Sequence, residues 1–263
     1  MQPLGQHFLK NRSIIIKIIA ALEIKKGDAI IEIGSGHGEL TIPLAAACVD
    51  AGATLTAVEK DEQLAGPLKK SMESEGAHAV DMLHADALTF IKSGMHNISG
   101  AKLVGNIPYY ITGKLLRTVG ELKQKPERCI FMVQKEVAER IAARPTKMNR
   151  LAASVQFWSE IQTIANISRD DFNPPPKVDS AVILLKTKIP APSANPERYY
   201  ETVRALFAQP RKTILNNLSE RVENGGKNEI SLGLKKIHID PTARPQNLDI
   251  GDIISIAEAR LWG

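Results

Sequence analysis

The feature of the sequence that most constrains the fold is an alternation of short apolar, β-branched runs with stretches of helical spacing. The apolar runs lie at residues 28–34, 54–61, 78–86, 101–106 and 128–134. Alternation of this kind is typical of a mostly parallel sheet with helices on both of its faces. We therefore predict an α/β fold, in which two later strands, within 154–168 and at 179–188, form an antiparallel pair at the sheet edge.

The composition changes after residue 187. The segment KIPAPSANP (188–196) contains three prolines in nine residues, which favours a linker. The stretches beyond it have helical spacing and contain no convincing strand. We predict an α/β domain over residues 1–187 and a small helical domain over residues 188–263.

The charge is mildly basic, at a formal +5 with a pI of about 9.1, and it permits a polyanionic partner without demanding one. Five basic and two acidic residues lie between positions 135 and 150, where we predict one helix. Its basic residues, which include Lys135, Arg140, Arg144 and Lys147, either bind phosphates or form a solvated helix face.

Several classes of protein are disfavoured. The two cysteines form no C-x-x-C pair and no His/Cys cluster occurs at ligand spacing, so neither a zinc site nor a disulfide framework is indicated, and we expect no metal. The run SIIIKIIAAL is preceded by a polar segment and is too short and too charged to cross a bilayer. We therefore expect a cytoplasmic protein without a membrane partner.

A glycine-rich loop, EIGSGHGEL (32–40), lies between the first strand and the helix that follows it. Glycines there allow a tight turn and let backbone N–H groups approach a ligand. The dinucleotide fingerprint is G-x-G-x-x-G, whereas Gly34, Gly36 and Gly38 form G-x-G-x-G with Glu39 in the place of the third glycine. A carboxylate disfavours a pyrophosphate there, and it suits a ligand with a positive group, such as S-adenosylmethionine.

Two more carboxylates end the next strands. Glu59 ends the second strand, where an acid can accept both hydroxyl protons of a ribose, and Asp86 ends the third, where it can accept from an adenine amine. Each acid can instead cap the helix that follows it. The glycine loop and these two acids lie at the carboxyl ends of three successive strands. This favours a ligand site, because open α/β sheets bind ligands at that edge.

The fourth strand ends in GNIPYY (105–110), which places an amide, a proline and an aromatic beside that edge. An exocyclic adenine amine is a poor nucleophile, because its lone pair is delocalised into the ring. The Asn106 side-chain oxygen and the Ile107 carbonyl can accept its two hydrogens, Pro108 fixes the turn, and Tyr109 stacks on the base. This arrangement is suited to methylation of the amine without a covalent nucleophile or a metal.

The sequence resembles the small-subunit ribosomal RNA adenine dimethyltransferase family (KsgA type). The matching motifs, in order, are GQHFLKN (5–11), EIGSGHGELT (32–41), GNIPYYI (105–111), MVQKEVAERI (132–141), FNPPPKVDSAV (172–182) and DPTARPQNL (240–248). The resemblance implies a Rossmann-like S-adenosylmethionine-dependent methyltransferase sheet for residues 1–187. It also implies a C-terminal helical domain that contacts rRNA.

The resemblance further implies roles for individual residues. His7 and Leu9 would touch the cofactor with Gly34, Gly36, Glu59, Asp86 and Asn106, and Phe172 would stack on the far face of the target adenine from Tyr109. Arg211 and Lys212 would contact RNA. One departure lies within the site, since most bacterial members carry Asn where His7 stands.

The implied activity is dimethylation of two adjacent adenines in a small-subunit rRNA hairpin, on an assembling ribosomal subunit, by a monomer. One alternative is the antibiotic-resistance methyltransferase that modifies a large-subunit rRNA adenine. Another is a ribosome-assembly checkpoint protein without catalysis. A DNA amine methyltransferase is disfavoured, because no DNA target-recognition segment is evident.

Overall fold

The computed structural model describes residues 7–74, 80–93, 98–189, 191–222 and 226–261. The chain divides into two compact units. The first contains the described residues up to Ala138 together with Glu160–Thr187, and the second contains Glu139–Ser159 and the chain from Lys188 onward. The chain passes from the first unit to the second after Thr187, which is where the sequence predicts a domain boundary. It also enters the second unit earlier, because residues 139–159 group with the C-terminal helices.

The first unit is built from alternating strands and helices. Its strands are β1 (Phe8–Leu9), β2 (Ala29–Ile33), β3 (Thr54–Glu59), β4 (Val80–His84), β5 (Lys102–Asn106), β6 (Arg128–Gln134), most of β7 (Ser159–Ile167), β8 (Phe172–Asn173) and β9 (Ser180–Thr187). Its helices are α1 (Arg12–Leu22), α2 (Thr41–Ala51), α3 (Glu62–Ser74), α4 (Ala87–Ser93), α5 (Thr112–Glu121) and the first turn of α6 (Lys135–Ile141). A short 3₁₀ turn occupies Arg169–Asp171.

Seven of these strands form one sheet in the order β4-β3-β2-β5-β6-β9-β7. The pairs among β2 to β6 are parallel, and β9 runs antiparallel to β6. The chain moves outward on one side of β2 to β3 and β4, then returns to the other side for β5 and β6. The carboxyl ends of β2 and β5 therefore flank the switch point where open α/β sheets bind ligands. The predicted α/β fold is confirmed, with β9 and β7 adjacent at one edge.

Gly105 has a steric reason in this sheet. A Cβ at this position would collide with the carbonyl oxygen of Ile33 on the neighbouring strand β2. The Ile33 carbonyl and the Gly105 backbone both belong to a central strand pair, so neither can move away without disturbing the sheet. The glycine of GNIPYY thus lets β5 lie close against β2 just before the site.

The apolar core of the first unit lies between the sheet and its helices. Helix α1 buries Ile14, Ile18 and Leu22, which are spaced by four residues along one face. Asn11 caps the same helix by accepting from the Ser13 N–H at 3.0 Å. Phe172, at 1% exposure, belongs to the same core cluster.

The prediction of a single helix over residues 135–150 is wrong. Helix α6 ends at Ile141, and a new helix, α7 (Arg150–Trp158), begins after Asn149, whose side chain caps it. Pro145 lacks an N–H donor and restricts the residue before it, and Thr146 has a left-handed φ of 71°. The strand predicted within 154–168 also starts later than expected, at Ser159, since its first residues belong to α7.

The second unit is helical in the part that the structure describes. Besides α7 it contains α8 (Pro196–Leu206), α9 (Ile214–Ser219), α10 (Lys227–Lys236), a 3₁₀ turn (Pro245–Asn247) and α11 (Ile250–Glu258). Helix α7 packs on α8 and α11. The rings of Phe157 and Tyr199 stack at 3.8 Å in this second core, and the Tyr199 hydroxyl donates to the Ala153 carbonyl.

Some expected features lie partly outside the described residues. In the first predicted domain these are residues 1–6, 75–79 and 94–97, which include the first two residues of GQHFLKN and positions 78–79 of the third strand run. In the predicted helical domain they are Pro190 of the linker and residues 223–225 and 262–263. In the ranges that are described, no helix is both long enough and apolar enough to cross a membrane.

Candidate active site

A pocket opens at the carboxyl ends of β2 to β5, and every residue that lines it belongs to the first unit. The predicted cofactor residues all line this one pocket: His7, Leu9, Gly34, Gly36, Glu59, Asp86 and Asn106. The predicted turn residues Ile107, Pro108 and Tyr109 line it too. The structure therefore brings the glycine loop, the strand-end acids and the Asn-Ile-Pro-Tyr turn together.

Glu59, the last residue of β3, is the most firmly held acid of the pocket. Its Oε1 accepts from the backbone N–H groups of Lys60 and Asp61 at 2.8 and 2.9 Å, and its Oε2 accepts from Gly36 N–H at 3.0 Å. The carboxylate thereby links the end of β3 to the glycine loop. Since Oε2 accepts one bond and has a second lone pair, it can still accept from a ligand hydroxyl.

Gly36 has a φ of 57°, in the left-handed region that favours glycine. A Cβ there would lie 3.1 Å from the Phe8 ring, whose centroid is 4.2 Å from that of His37. The glycine therefore lets the loop turn its N–H toward Glu59 beneath an aromatic cover.

Asp86 both caps a helix and lines the pocket. Its Oδ1 accepts from the N–H groups of Leu88 and Thr89 at the start of α4, and its Oδ2 lies 3.2 Å from the Lys60 ammonium. Burial by itself would raise the pKa of Asp86, but the bonds from Thr89, Lys60 and Leu88 hold it below its ordinary value. The acid is therefore an ionised acceptor at neutral pH. Both of its predicted roles are compatible with this geometry.

Glu32 is a pocket residue that the sequence analysis missed. It is only 1% exposed, and its Oε2 has no hydrogen-bond partner among the described residues, nor has the nearby Ser35 hydroxyl. Burial raises the pKa of Glu32 to about 7; a contact with Thr41 opposes the rise, and the charges of Glu59 and Glu39 add to it. A buried carboxyl in this state is suited to a positively charged ligand group. The available signal was a charged residue inside the apolar strand AIIEI.

Asn106 ends β5 with its side chain held in one orientation. Its Nδ2 donates to the His7 carbonyl at 2.8 Å. Because a carbonyl oxygen can only accept, the nitrogen must face His7, and this leaves Oδ1 as a second, separate acceptor. The next residue is anchored as well, since Ile107 N–H donates to the Met132 carbonyl at 3.1 Å.

Pro108 to Ile111 form a tight turn, closed by the Ile111 N–H donating to the Pro108 carbonyl at 3.0 Å. Tyr109 and Tyr110 are its two central residues. The Tyr109 hydroxyl lies 3.1 Å from the Ser180 hydroxyl, which fixes the tilt of a half-buried ring. A flat aromatic face with a fixed direction is therefore part of the pocket.

The N-terminal segment covers the pocket by pairing with a distant part of the chain. Phe8 and Leu9 pair antiparallel with Asn173 and Phe172, and a His7 ring nitrogen lies 2.8 Å from the Pro174 carbonyl. This pairing brings the two motifs GQHFLKN and FNPPP side by side. Phe172 is buried in the core and does not line the pocket. A stacking role for Phe172 requires its ring to be uncovered.

The residues predicted to bind RNA are not part of this pocket. Lys135, Arg140, Arg144, Lys147 and Arg211 are exposed, whereas Lys212 is half-buried and pairs with Glu220 at 2.6 Å. Within the second unit, the loop that carries Arg144 and Lys147 is anchored at both ends. The Gln156 side chain donates to the carbonyls of Ile141 and Ala143, and Met148 N–H donates to the Gln246 carbonyl.

Comparison with known proteins concerns the chain as a whole. The model of the family "Ribosomal RNA adenine dimethylase" matches residues 2–260. The ribosomal RNA small subunit methyltransferase A of Xylella fastidiosa (strain Temecula1) is 35% identical over an alignment of 267 positions, which covers 97% of this chain and 94% of that protein. The crystal structure of a dimethyladenosine transferase from Plasmodium falciparum superposes with a TM-score of 0.81 at 28% identity, over 95% of this chain and 96% of that one. The 23S rRNA methyltransferase ErmE superposes with a TM-score of 0.72 at 24% identity, over 96% and 98%, which shows a shared fold.

Proposed function

The chain belongs to the ribosomal RNA adenine dimethylase family and is an rRNA adenine dimethyltransferase; from this premise we propose its substrate, its cofactor contacts and the residues that act. The substrate is a pair of adjacent adenines in a hairpin of small-subunit rRNA, on a ribosomal subunit that is still assembling in the cytoplasm. Small-subunit relatives such as that of Xylella fastidiosa support this choice over a large-subunit target, because the similarity to ErmE at 24% identity concerns the fold alone.

The residues of the pocket fit S-adenosylmethionine. Glu59 offers Oε2 to a ribose hydroxyl, and Asp86 offers an ionised acceptor for the adenine amine. Glu32 Oε2 and the Ser35 hydroxyl oxygen are buried acceptors without described partners, which an ammonium group would satisfy. His7 and Leu9 also line the pocket. When bound there, the cofactor supplies a methyl group on a positively charged sulfur.

The observation that carries the proposal is the orientation of Asn106. Its Nδ2 is held by the His7 carbonyl, so Oδ1 is free to accept one hydrogen of the target amine, and the Ile107 carbonyl can accept the other. Two acceptors draw the amine toward a tetrahedral nitrogen with an exposed lone pair. Their placement before the chemical step is what lowers the barrier, since nothing needs to reorganise.

Tyr109 is proposed to hold the target adenine by stacking on it. Its hydroxyl contact with Ser180 limits rotation of the ring, and Pro108 fixes the backbone before it. A target base drawn out of its stack would lie on the Tyr109 face, with its amine at Asn106. The methylated amine is acidic and loses its proton without a strong base. The stacking role of Phe172 on the other face stays a prediction, since it needs the β1–β8 pairing to move.

The second unit is proposed to bind the phosphates of the RNA. Residues 139–159 and 188–263 contain 15 Lys and Arg against 10 Asp and Glu, so they carry the whole formal charge of +5. Arg140, Arg144, Lys147 and Arg211 are exposed there, and Lys135 is exposed in the first unit. Lys212 is the weakest of the candidates because Glu220 already neutralises it.

The phosphate contacts can be tested by salt dependence. Replacing Arg144 and Lys147 together with Ala should weaken binding to unmethylated small subunits and reduce the slope of log K against log salt by up to about 2. The matched control is Lys69→Ala with Lys70→Ala, which removes the same charge from the exposed face of α3. If the plots of log K against log salt for the wild type and the Arg144/Lys147 variant coincide, these residues belong to a solvated surface and do not bind RNA.

The activity itself is tested by incubating the protein with labelled S-adenosylmethionine and separated small and large subunits that lack adenine dimethylation. The label should appear on two adjacent adenines of small-subunit rRNA, with two methyl groups on each. Label on large-subunit rRNA would support the antibiotic-resistance activity instead. Binding to small subunits without any transfer would support a checkpoint protein.

A further inference from the structure

Tyr110 is the second central residue of the turn that carries Tyr109, and the mechanism above gives it no role. Its side chain is 64% exposed, although it is large and aromatic. Within the described part of the chain, its hydroxyl makes no hydrogen bond and its ring makes no aromatic contact. Neither packing nor a polar partner therefore accounts for an aromatic residue at this position.

Single exposed apolar residues are ordinary on protein surfaces, and a second observation separates Tyr110 from the others. Of the exposed large apolar side chains that the structure describes, Tyr110 is the one that lines the candidate active site. Ile16 and Ile42 are also exposed in the same unit but lie outside the pocket. The unburied ring thus stands at the mouth of the site, where the substrate enters.

The turn geometry places the two tyrosines in a fixed relation. Ile111 N–H closes the turn onto the Pro108 carbonyl at 3.0 Å, so the consecutive Cα atoms of Tyr109 and Tyr110 move as one body. Tyr109 is half-buried and tethered to Ser180, whereas Tyr110 is free at the rim. A polynucleotide that inserts one base against Tyr109 must therefore carry its neighbouring nucleotide past the rim.

We propose that Tyr110 is a stacking platform for the base adjacent to the target adenine, and so a residue that selects how the RNA enters the site. The inference rests on the proposed function, since it needs a single-stranded RNA with one base inside the pocket. Aromatic side chains bind unstacked bases through their faces, and such stacking tolerates any base. The platform would hold the second adenine of an adjacent pair while the first one reacts.

The test is kinetic and uses the full chain with unmethylated small ribosomal subunits. For Tyr110→Ala we expect KM for the subunits to rise about 5- to 10-fold, the lower end of the loss found when one base–aromatic stack is removed. The kcat at saturating subunits and the Kd of S-adenosylmethionine should change less than twofold. Tyr110→Phe should restore KM, because stacking uses the ring and not the hydroxyl. Ile16→Ala, at a 67% exposed position on α1 outside the pocket, is the matched control.

A second measurement identifies the base. In subunits reconstituted with rRNA that is abasic next to the target adenine, wild type and Tyr110→Ala should have the same KM, because the partner of the ring is gone. An unchanged KM for Tyr110→Ala on intact subunits would overturn the inference, and so would a lasting difference on the abasic RNA. A loss of cofactor affinity in Tyr110→Ala would overturn the inference as well, because it would show that Tyr110 contacts the cofactor. If the wild type transfers no methyl to rRNA, the proposed function fails and this inference fails with it.

Discussion

The substitution Glu59→Gln tests the cofactor site most directly, because it changes one acceptor into a donor with almost no change in shape. The carboxylate accepts three backbone N–H groups, two on Oε1 and one on Oε2. An amide can accept at only one of these two positions. The less costly arrangement keeps the oxygen toward Lys60 and Asp61, so the new NH₂ group faces the Gly36 N–H.

This arrangement removes the acceptor that we assign to a ribose hydroxyl. A hydrogen bond to a charged acceptor contributes about 1.5–3 kcal/mol, so the Kd of S-adenosylmethionine should rise about 10- to 150-fold. The turnover number at saturating cofactor should fall much less, because Glu59 does not contact the reacting amine in the proposed geometry.

Titration calorimetry with S-adenosylmethionine measures the affinity, and single-turnover methyl transfer measures the chemical step. Glu62→Gln is the matched control, since it removes the same charge from an exposed position three residues further along. An unchanged Kd in Glu59→Gln would reduce this acid to a structural support of the glycine loop. An equal loss in Glu62→Gln would show that the effect is only one of net charge.

Three further predictions concern neighbouring residues. Asn106→Ala should lower kcat about 10²- to 10³-fold, as for other positioned transition-state partners, while cofactor affinity measured by calorimetry changes much less; equal losses in both would refute its role at the amine. Since burial raises the pKa of Glu32 to about 7 and a positively charged ligand group favours its ionised form, cofactor affinity should rise with pH up to about 7 and level off above it. Below pH 7 it should fall by at most about tenfold per pH unit, and calorimetry on Glu32→Gln should give a weaker, flat profile; an equally steep profile in that variant would exclude Glu32 as the cause. Gly105→Ala should destabilise the protein by about 3 kcal/mol or more in chemical denaturation, because its Cβ meets the Ile33 carbonyl, whereas Gly113→Ala, where the space is open, should be neutral or stabilising.

Residues at the ends of regular strands could be located from the sequence alone. Once the apolar runs are recognised as parallel strands, the positions of the glycine loop, Glu59, Asp86 and Asn106 follow, because parallel strands end at one edge of a sheet. The structure brings all of them into one pocket. Their roles toward the cofactor and the base remain predictions that the variants above address.

Other features were local but were misread. Helix α6 ends at Ile141 because Pro145 and Thr146 cannot continue it, and a run of basic residues at helical spacing concealed that signal. Glu32 was overlooked since a single acid within an apolar strand is too weak a signal by itself to predict a role. It becomes informative only when the pocket next to it and its lack of a partner are known.

Only the tertiary structure shows that the N-terminal segment pairs with the segment around Phe172 beside the pocket. His7 and Pro174 are 167 positions apart, yet they are in contact, and Phe172 is buried rather than displayed. Two-residue strands such as β1 and β8 have too few residues to show a periodicity, and their backbone groups find partners only when the rest of the fold brings them together. Spacing along a chain specifies which face of an element is apolar. It does not specify which distant segment will satisfy the hydrogen bonds of a short strand, because that depends on the path of all the chain between them.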